Sequence, residues 1–275
     1  MPDLDPVPGR AGPHGHGQTA EVQAPRPLLG GPREAGGLTT APFVLVHGAW
    51  HAGACWQPLV DELTARGESA VAVDLPCEDP DATLDDYAQA VVDGAAGFDE
   101  PVIVVGHSLG GLTIALIPSR RPVAGLVFVA AILPAPGELA GAGLGRDAFS
   151  KGFPALTAAH QVAEENGASR WDREGAVAAF YHDVPEEGLD AATDALRLQQ
   201  WGPTREEWPL DAYPDVPMRY VACADDRILD PDWQVRSARE LLGIEADVLD
   251  SSHSPMLAQP AALADLLVAP FNPAG

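Results

Sequence analysis

Basic residues are scarce in this sequence. Its 275 residues include 16 lysines and arginines against 40 aspartates and glutamates, which gives a formal net charge of −24. Such a chain repels the phosphate backbone of DNA and RNA, because nucleic-acid binding depends on cationic contacts. The acidic residues are spread along the chain rather than collected in one tail. We therefore exclude nucleic acid as a partner and interpret the charge as an acidic, solvated surface.

Cysteines are also few, and long apolar runs are lacking. Cys55, Cys77 and Cys223 have neither a metal-ligand nor a redox spacing. Free thiols in a reducing compartment are expected, and no metal or other cofactor is implied. No apolar run reaches the ~20 residues of a membrane-spanning helix, and the first residues lack the basic start and apolar stretch of a signal peptide. The expected setting is cytoplasmic, with no membrane partner, and the oligomeric state stays unknown.

The first 40 residues differ in composition from the rest of the chain. They are rich in proline and glycine and contain hardly any aromatic or β-branched residues. Such a segment buries too little apolar surface to offset the entropy that is lost on ordering. We therefore predict a flexible tail over residues 1–40, followed by one folded domain over residues 41–275.

Short apolar runs recur through this second part, and helical patterns separate most of them. The runs cover residues 43–46, 70–73, 102–105, 126–129, 220–222 and 246–249. Helices are predicted over residues 56–66, from Thr83, from Ser108 and over residues 260–268. Strands that alternate with helices are typical of a parallel sheet covered on both faces. The sequence thus predicts an α/β fold with a mainly parallel sheet of about six strands.

The alternation breaks between about residues 133 and 214. No buried strand is evident there, whereas the apolar residues at positions 176, 177, 180 and 181 have the spacing of a helix face. The pattern continues through Leu189, Ala192, Leu196 and Gln199. We predict a helical insertion over about residues 135–213 that forms a cap.

One serine lies in the pattern G-x-S-x-G. The run Gly106-His107-Ser108-Leu109-Gly110 directly follows a predicted strand and begins a helical pattern. A tight turn from strand to helix projects such a serine above the sheet, and the glycines leave room for the turn. The helix N-terminus directs N–H groups at developing negative charge. Ser108 is therefore the candidate nucleophile, and His107 is expected to shape the turn.

When a serine nucleophile attacks a carbonyl carbon, the carbonyl oxygen becomes an oxyanion. Two backbone N–H groups are needed to bind this oxyanion. One is expected from Leu109, the residue after the nucleophile. The other is expected from the turn after the first strand, His47-Gly48-Ala49-Trp50. We choose Ala49 as that donor, because Gly48 permits a close approach of the two turns.

The order nucleophile, acid, histidine along the chain selects the remaining candidates. Of eight histidines, only His253 follows the last predicted strand, in a small polar loop. The histidine His182 of the insertion faces either the pocket or the solvent. The acid is expected in the loop after residue 222, where Asp225, Asp226 and Asp230 compete. Spacing alone does not separate Asp225 from Asp226.

Together these segments resemble the α/β-hydrolase superfamily, and within it the small esterase branch of plant methylesterases, hydroxynitrile lyases and many bacterial hydrolases. The resemblance covers residues 43–268, with matching segments at residues 44–50, 72–76, 106–111, 226–228 and 253–257. In this branch the acid precedes a short apolar pair, so the resemblance implies Asp226 as the acid. It also implies Ala49 and Leu109 as the oxyanion donors.

The resemblance implies a serine hydrolase that cleaves an ester, or a thioester, of a small and largely apolar substrate. Similar hydroxynitrile lyases carry a threonine in place of Gly48, and a lysine where this chain has Ser254. That lysine supplies positive charge for a cyanide leaving group, so its absence favours hydrolysis. Two alternatives stay open: a biosynthetic cyclase or lyase with the same triad, and a receptor-like homologue that binds a small molecule.

The predicted tail leads to a first test. Removal of residues 1–40 is expected to leave the melting temperature and the turnover of ester substrates nearly unchanged, because the tail has little apolar surface to bury. Calorimetry and ester kinetics on the full and truncated chains measure both quantities. A melting temperature lowered by many degrees in the truncated chain would show that residues 1–40 pack on the domain.

Overall fold

The computed structural model describes residues 41–271, which are built around a six-stranded parallel sheet. The strands in chain order are β1 (Phe43–Val46), β2 (Ala70–Val73), β3 (Val102–His107), β4 (Val123–Val129), β5 (Gln161–Ala163), β6 (Ser169–Trp171), β7 (Met218–Cys223) and β8 (Asp247–Leu249). The main sheet has the order β2-β1-β3-β4-β7-β8, and β5 pairs with β6 alone. The predicted parallel sheet of about six strands is confirmed. The predicted tail, residues 1–40, lies outside the described residues.

The central strands are apolar throughout because both of their faces are covered. Every residue of β1 and of β3 is buried. Side chains alternate across the sheet, so Val44 and Val46 pack into one apolar core while Phe43 and Leu45 pack into the other. This double burial explains the short continuous apolar runs of the sequence.

Helices cover the two faces. They are α1 (Gln57–Ala65), α2 (Leu84–Gly94), α3 (Gly111–Ile114), α4 (Phe153–His160), α5 (Arg173–Phe180), α6 (Glu186–Asp194), α7 (Pro231–Ser237), α8 (Pro255–Ala258) and α9 (Pro260–Val268). The helix predicted over residues 260–268 is confirmed as α9, and the one predicted over residues 56–66 as α1. The helix predicted from Ser108 begins with a 3₁₀ turn, Ser108–Gly110, before α3. Within residues 41–271, no helix combines the length and apolarity needed to cross a membrane.

The insertion between β4 and β7 contains the expected helices, α4, α5 and α6, but it is not purely helical. It also contains the short strands β5 and β6, which form an antiparallel pair. These strands have three residues each, too few to show a periodic pattern. The helical pattern also ends earlier than predicted. Gln199 lies beyond α6 and exchanges two backbone hydrogen bonds of 3.0 Å with Ser169 of β6.

Helix α2 begins where the sequence places its cap. The Thr83 hydroxyl accepts a hydrogen bond from the Asp86 N–H at 3.2 Å, and the Asp86 carboxylate accepts one from the Thr83 N–H at 2.9 Å. This reciprocal pair satisfies two N–H groups that the helix itself leaves without partners. The buried face of α2, which includes Tyr87 and Val91, then packs on the core.

Thr83→Ala is therefore expected to lower the free energy of unfolding by about 1 kcal/mol, the usual cost of a lost N-cap. For a domain of this size the melting temperature falls by roughly 2–4 °C. Thr64→Ala in α1 is the matched control. Thr64 is exposed within the helix, where alanine is the better helix former, so its variant should be unchanged or slightly more stable. Equal losses in both variants would contradict the capping role.

Candidate active site

Ser108 occupies a strained turn between β3 and α3. Its φ is 50°, a left-handed value that residues other than glycine seldom adopt. The Ser108 carbonyl accepts a hydrogen bond from the Ile132 N–H at 3.0 Å. A Cβ at Gly110 would lie 2.8 Å from the His47 carbonyl oxygen and 2.9 Å from that of Val46. Only glycine allows the turn to approach the end of β1 so closely.

The turn after β1 lies directly against Ser108. A Cβ at Gly48 would lie 2.7 Å from the Ser108 Cβ and 3.0 Å from His107 Nδ1. Position 48 therefore has no room for a side chain such as threonine. This contact brings Ala49 and Trp50 beside Ser108, and all three line one cavity with Leu109.

His253 and Asp226 form a buried pair. His253 Nδ1 lies 2.7 Å from Asp226 Oδ2, and the two residues are 1% and 4% exposed. A carboxylate oxygen accepts, so Nδ1 carries the proton that it donates. The same oxygen accepts from the Gln234 side-chain amide at 2.9 Å. The other oxygen accepts the N–H groups of Ile228 at 2.7 Å and Leu229 at 3.0 Å.

Asp225 and Asp230 take other roles. Asp230 caps α7 by accepting the Trp233 N–H at 3.1 Å. Asp225 contacts the insertion rather than His253. Its Oδ2 lies 3.0 Å from Nε2 of His182, whose side chain is 8% exposed. His182 therefore contacts the acid loop from the insertion and is not solvent-facing.

His107 connects the Ser108 turn to the loop of His253. Its Nε2–H donates to the His253 carbonyl at 2.8 Å, and the centroids of the two rings lie 4.7 Å apart. Complete burial, with His253 and His51 nearby, holds the pKa of His107 well below its usual range. A neutral ring with a fixed tautomer thus brings the His253 backbone against the turn.

Two further buried histidines hold the turn after β1. His47 donates from Nδ1 to the Gly48 carbonyl at 2.8 Å, while its Nε2 accepts the Leu75 N–H at 3.0 Å. His51 donates from Nδ1 to the Ala49 carbonyl at 2.7 Å. Burial lowers the pKa of His47 to about 4 and that of His51 to about 3, so both rings are neutral at pH 7. In a trans peptide the C=O and N–H point in opposite directions. The Ala49 N–H therefore points away from the ring that binds the Gly48 carbonyl.

An apolar cavity of about 520 Å³ lies beside Ser108, and residues of the insertion form part of its lining. Helix α4 supplies one wall through Phe153, Pro154, Thr157 and Ala158, and every residue that lines the cavity is uncharged. The remaining lining residues are Ala49, Trp50, Leu109, Ile132, Leu144, Phe149, Gln161, Trp201, Ile228 and Leu229. The Thr157 hydroxyl is buried and has no hydrogen-bond partner among the described residues. The space suits an uncharged, drug-sized molecule.

The three cysteines do not line this cavity. Cys55, Cys77 and Cys223 are free and buried, as the sequence predicts for thiols that form no bridge. Burial raises the pKa of Cys77 to about 11 and that of Cys223 well above its usual range. Within residues 41–271, no three His, Cys, Asp or Glu side chains are grouped so that they could hold a metal ion.

Several residues around the site had no signal in the sequence. Gln234 contacts Asp226 from α7, and Asp183 accepts the Ser252 N–H at 2.7 Å beside His253. Tyr181 donates its hydroxyl proton to His51 Nε2 at 2.9 Å. For Gln234 and Asp183, which are polar, a solvent-exposed position is the usual expectation. Tyr181 was assigned to an apolar helix face, and that pattern does not indicate a partner for its hydroxyl. Only a conserved pattern among homologous sequences would distinguish them.

Comparisons with known proteins show the family of this chain. The family model for the alpha/beta hydrolase family matches residues 43–266. A pyrethroid hydrolase of Sphingobium wenxiniae is 30% identical over 246 residues, which cover 84% of this chain and 87% of that relative. Methylesterase 2 of Arabidopsis thaliana is 28% identical over 82% of this chain and 94% of its own length.

Solved structures extend the likeness to the tertiary fold. The crystal structure of a pyrethroid hydrolase from Sphingobium faniae has a TM-score of 0.72 at 27% identity, and the match covers 83% of this chain and 96% of that one. The family model and these relatives span nearly all of the described residues. The chain belongs to the alpha/beta hydrolase family, as an esterase-type member of it.

Proposed function

We propose that this chain is a serine esterase in which Ser108 is the nucleophile, His253 the general base and Asp226 the acid that orients it. The observation that carries the proposal is the buried 2.7 Å contact between His253 Nδ1 and Asp226 Oδ2. With Nδ1 protonated and bound to the carboxylate, Nε2 of the neutral ring is free to accept a proton. The hydrogen bond from His107 supports the role of His253, because it holds that residue against the turn of Ser108.

The reaction then follows from these roles. Ser108 Oγ attacks the ester carbonyl while His253 Nε2 takes the serine proton, and the Asp226 carboxylate stabilises the imidazolium. The tetrahedral intermediate expels the alcohol, which receives that proton, and an acyl-serine is left. Water, deprotonated by His253, attacks the acyl-serine and releases the acid and the free serine.

The N–H groups of Ala49 and Leu109 bind the oxyanion of both tetrahedral intermediates in this proposal. Both residues line the cavity beside Ser108. The orientation of the Gly48–Ala49 peptide, whose carbonyl is bound by His47, supports Ala49 as a donor. Leu109 follows the nucleophile at the start of a 3₁₀ turn, where backbone N–H groups are free of helical partners.

The substrate that the cavity supports is an uncharged ester with a sizeable apolar portion. Burying a carboxylate among uncharged walls would cost several kcal/mol, whereas each buried methylene contributes about 0.8 kcal/mol. The relatives agree with this class, since one is named a pyrethroid hydrolase and another a methylesterase. We propose that the insertion acts as the cap, with α4 as the wall that selects the apolar portion.

A series of p-nitrophenyl esters tests this function. From acetate to hexanoate, kcat/KM is expected to rise about threefold to fourfold per methylene, because each buried CH₂ adds about 0.8 kcal/mol. Ser108→Ala is expected to fold normally and to lose turnover. A fluorophosphonate probe should label the wild type at Ser108 alone.

An ester of the same chain length that ends in a carboxylate serves as the control substrate. It is expected to react at least about tenfold more slowly than its apolar counterpart, owing to the desolvation of its charge. Activity that survives in Ser108→Ala, or a probe attached to another residue, would contradict the proposed nucleophile. Saturable binding of esters without turnover would favour a receptor-like role.

The choice of acid is tested by three matched amide substitutions. Asp226→Asn is expected to lower kcat at least about 10²-fold, because an amide no longer fixes the tautomer of the histidine; the corresponding loss in serine proteases is about 10⁴-fold. Asp225→Asn and Asp230→Asn are expected to stay within about tenfold, since neither carboxylate contacts His253. Circular dichroism must show that all three variants fold. If Asp225→Asn lost its activity while Asp226→Asn stayed active, the acid would be Asp225 and not Asp226.

A further inference from the structure

Trp50 has a backbone conformation that bulky residues seldom adopt. Its φ is 62°, in the left-handed region, where a bulky side chain is strained. The residue follows Ala49, which is a proposed oxyanion donor. Strained backbone of this kind persists only where the surrounding structure holds it on several sides.

Both peptides that flank the Trp50 Cα are bound by the insertion. The Trp50 N–H donates to Gln199 Oε1 at 3.2 Å, and the Trp50 carbonyl accepts the Arg197 N–H at 2.7 Å. The indole Nε1–H donates to the Ser169 hydroxyl at 3.1 Å. Since φ and ψ are rotations of these two peptides about the Cα, the insertion fixes the conformation of Trp50.

A second connection reaches the same peptide through a histidine. The Tyr181 hydroxyl donates to His51 Nε2 at 2.9 Å, and His51 Nδ1–H donates to the Ala49 carbonyl at 2.7 Å. Tyr181 and His51 are 1% and 2% exposed, so neither hydrogen bond competes with bulk water. The Ala49–Trp50 peptide is thus held at its carbonyl by Tyr181, through His51, and at its N–H by Gln199.

We propose that Gln199 and Tyr181 are positioning residues for the oxyanion donor Ala49, so that the insertion completes the oxyanion site as well as the substrate cavity. The proposal rests on the proposed esterase function. The Ala49 N–H belongs to the preceding Gly48–Ala49 peptide, and the two peptides share the Ala49 Cα. Loss of the contacts that hold the Ala49–Trp50 peptide would let this Cα shift and displace the Ala49 N–H from the oxyanion. In the ground state the apolar cavity binds mainly the hydrocarbon part of the ester. Charge on the carbonyl oxygen develops only in the transition state.

Tyr181→Phe is the sharpest test, because it removes one hydroxyl and leaves the ring in place. We expect kcat for p-nitrophenyl butyrate to fall about tenfold, less than the 10²–10³-fold loss of a complete oxyanion donor. KM is expected to stay within about twofold. The affinity for a trifluoromethyl ketone, which forms a tetrahedral oxyanion on the serine, should fall by the same factor as kcat.

Tyr213→Phe is the matched control. Tyr213 also lies between β4 and β7 and donates its hydroxyl to a carbonyl, that of Pro134, at 2.9 Å. The variant Tyr213→Phe loses a similar hydrogen bond, but Tyr213 does not contact the turn after β1. The variant should therefore leave kcat and the ketone affinity unchanged. Gln199→Met is a second test, because it removes the amide oxygen that accepts the Trp50 N–H and keeps an unbranched side chain in its place.

The outcomes separate this inference from the esterase function. If the wild type hydrolyses the ester through Ser108 but Tyr181→Phe and Gln199→Met keep wild-type kcat and ketone affinity, the positioning role is wrong and the esterase function stands. A loss that Tyr213→Phe shares would also overturn it, since that loss would reflect general destabilisation. If the wild type shows no turnover dependent on Ser108, the proposed function itself fails.

Discussion

The candidate active site depends on the close approach of two backbone turns at the ends of β1 and β3. These strands are parallel neighbours in the sheet, so their carboxyl ends meet at one edge and their turns compete for the same space. Gly48 and Gly110 leave that space free, because a Cβ at either position would lie under 3 Å from the opposite turn. Ser108 and Ala49 are adjacent as a consequence of this contact.

Backbone strain is concentrated at the same edge. The three residues other than glycine with positive φ in the described part of the chain are Trp50, Ser108 and Ala130, and they follow β1, β3 and β4. Each of these residues must redirect the chain within a short distance of a strand that is fixed by its neighbours. The apolar core on both sides of the sheet offsets the strain, since a few kcal/mol are small beside the burial of an entire central strand.

Buried neutral histidines connect the turns to one another. His47, His51 and His107 each donate one N–H to a backbone carbonyl of the site, at residues 48, 49 and 253. Their burial lowers the pKa values of these rings, so they do not titrate near neutral pH. A histidine suits this task because its neutral ring offers one donor and one acceptor in a rigid plane. His253 has a different position, with its Nδ1 bound to a carboxylate rather than a carbonyl.

The sequence by itself determined the parallel sheet, the turn at Ser108 and the candidate residues at its edge, because each depends on local patterns. Apolar runs specify buried strands, and the glycines around Ser108 specify the turn that lets it leave β3. Spacing did not separate Asp226 from Asp225, which differ by one residue in the same loop. Tertiary structure separates them, since the fold turns Asp226 toward His253 and Asp225 toward His182. The strands β5 and β6, and the contacts of Gln199 and Tyr181 with the turn after β1, were likewise decided only by the fold. The contacts of Gln199 and Tyr181 join residues 149 and 130 positions apart, and no local pattern records which distant group satisfies a buried N–H or imidazole nitrogen.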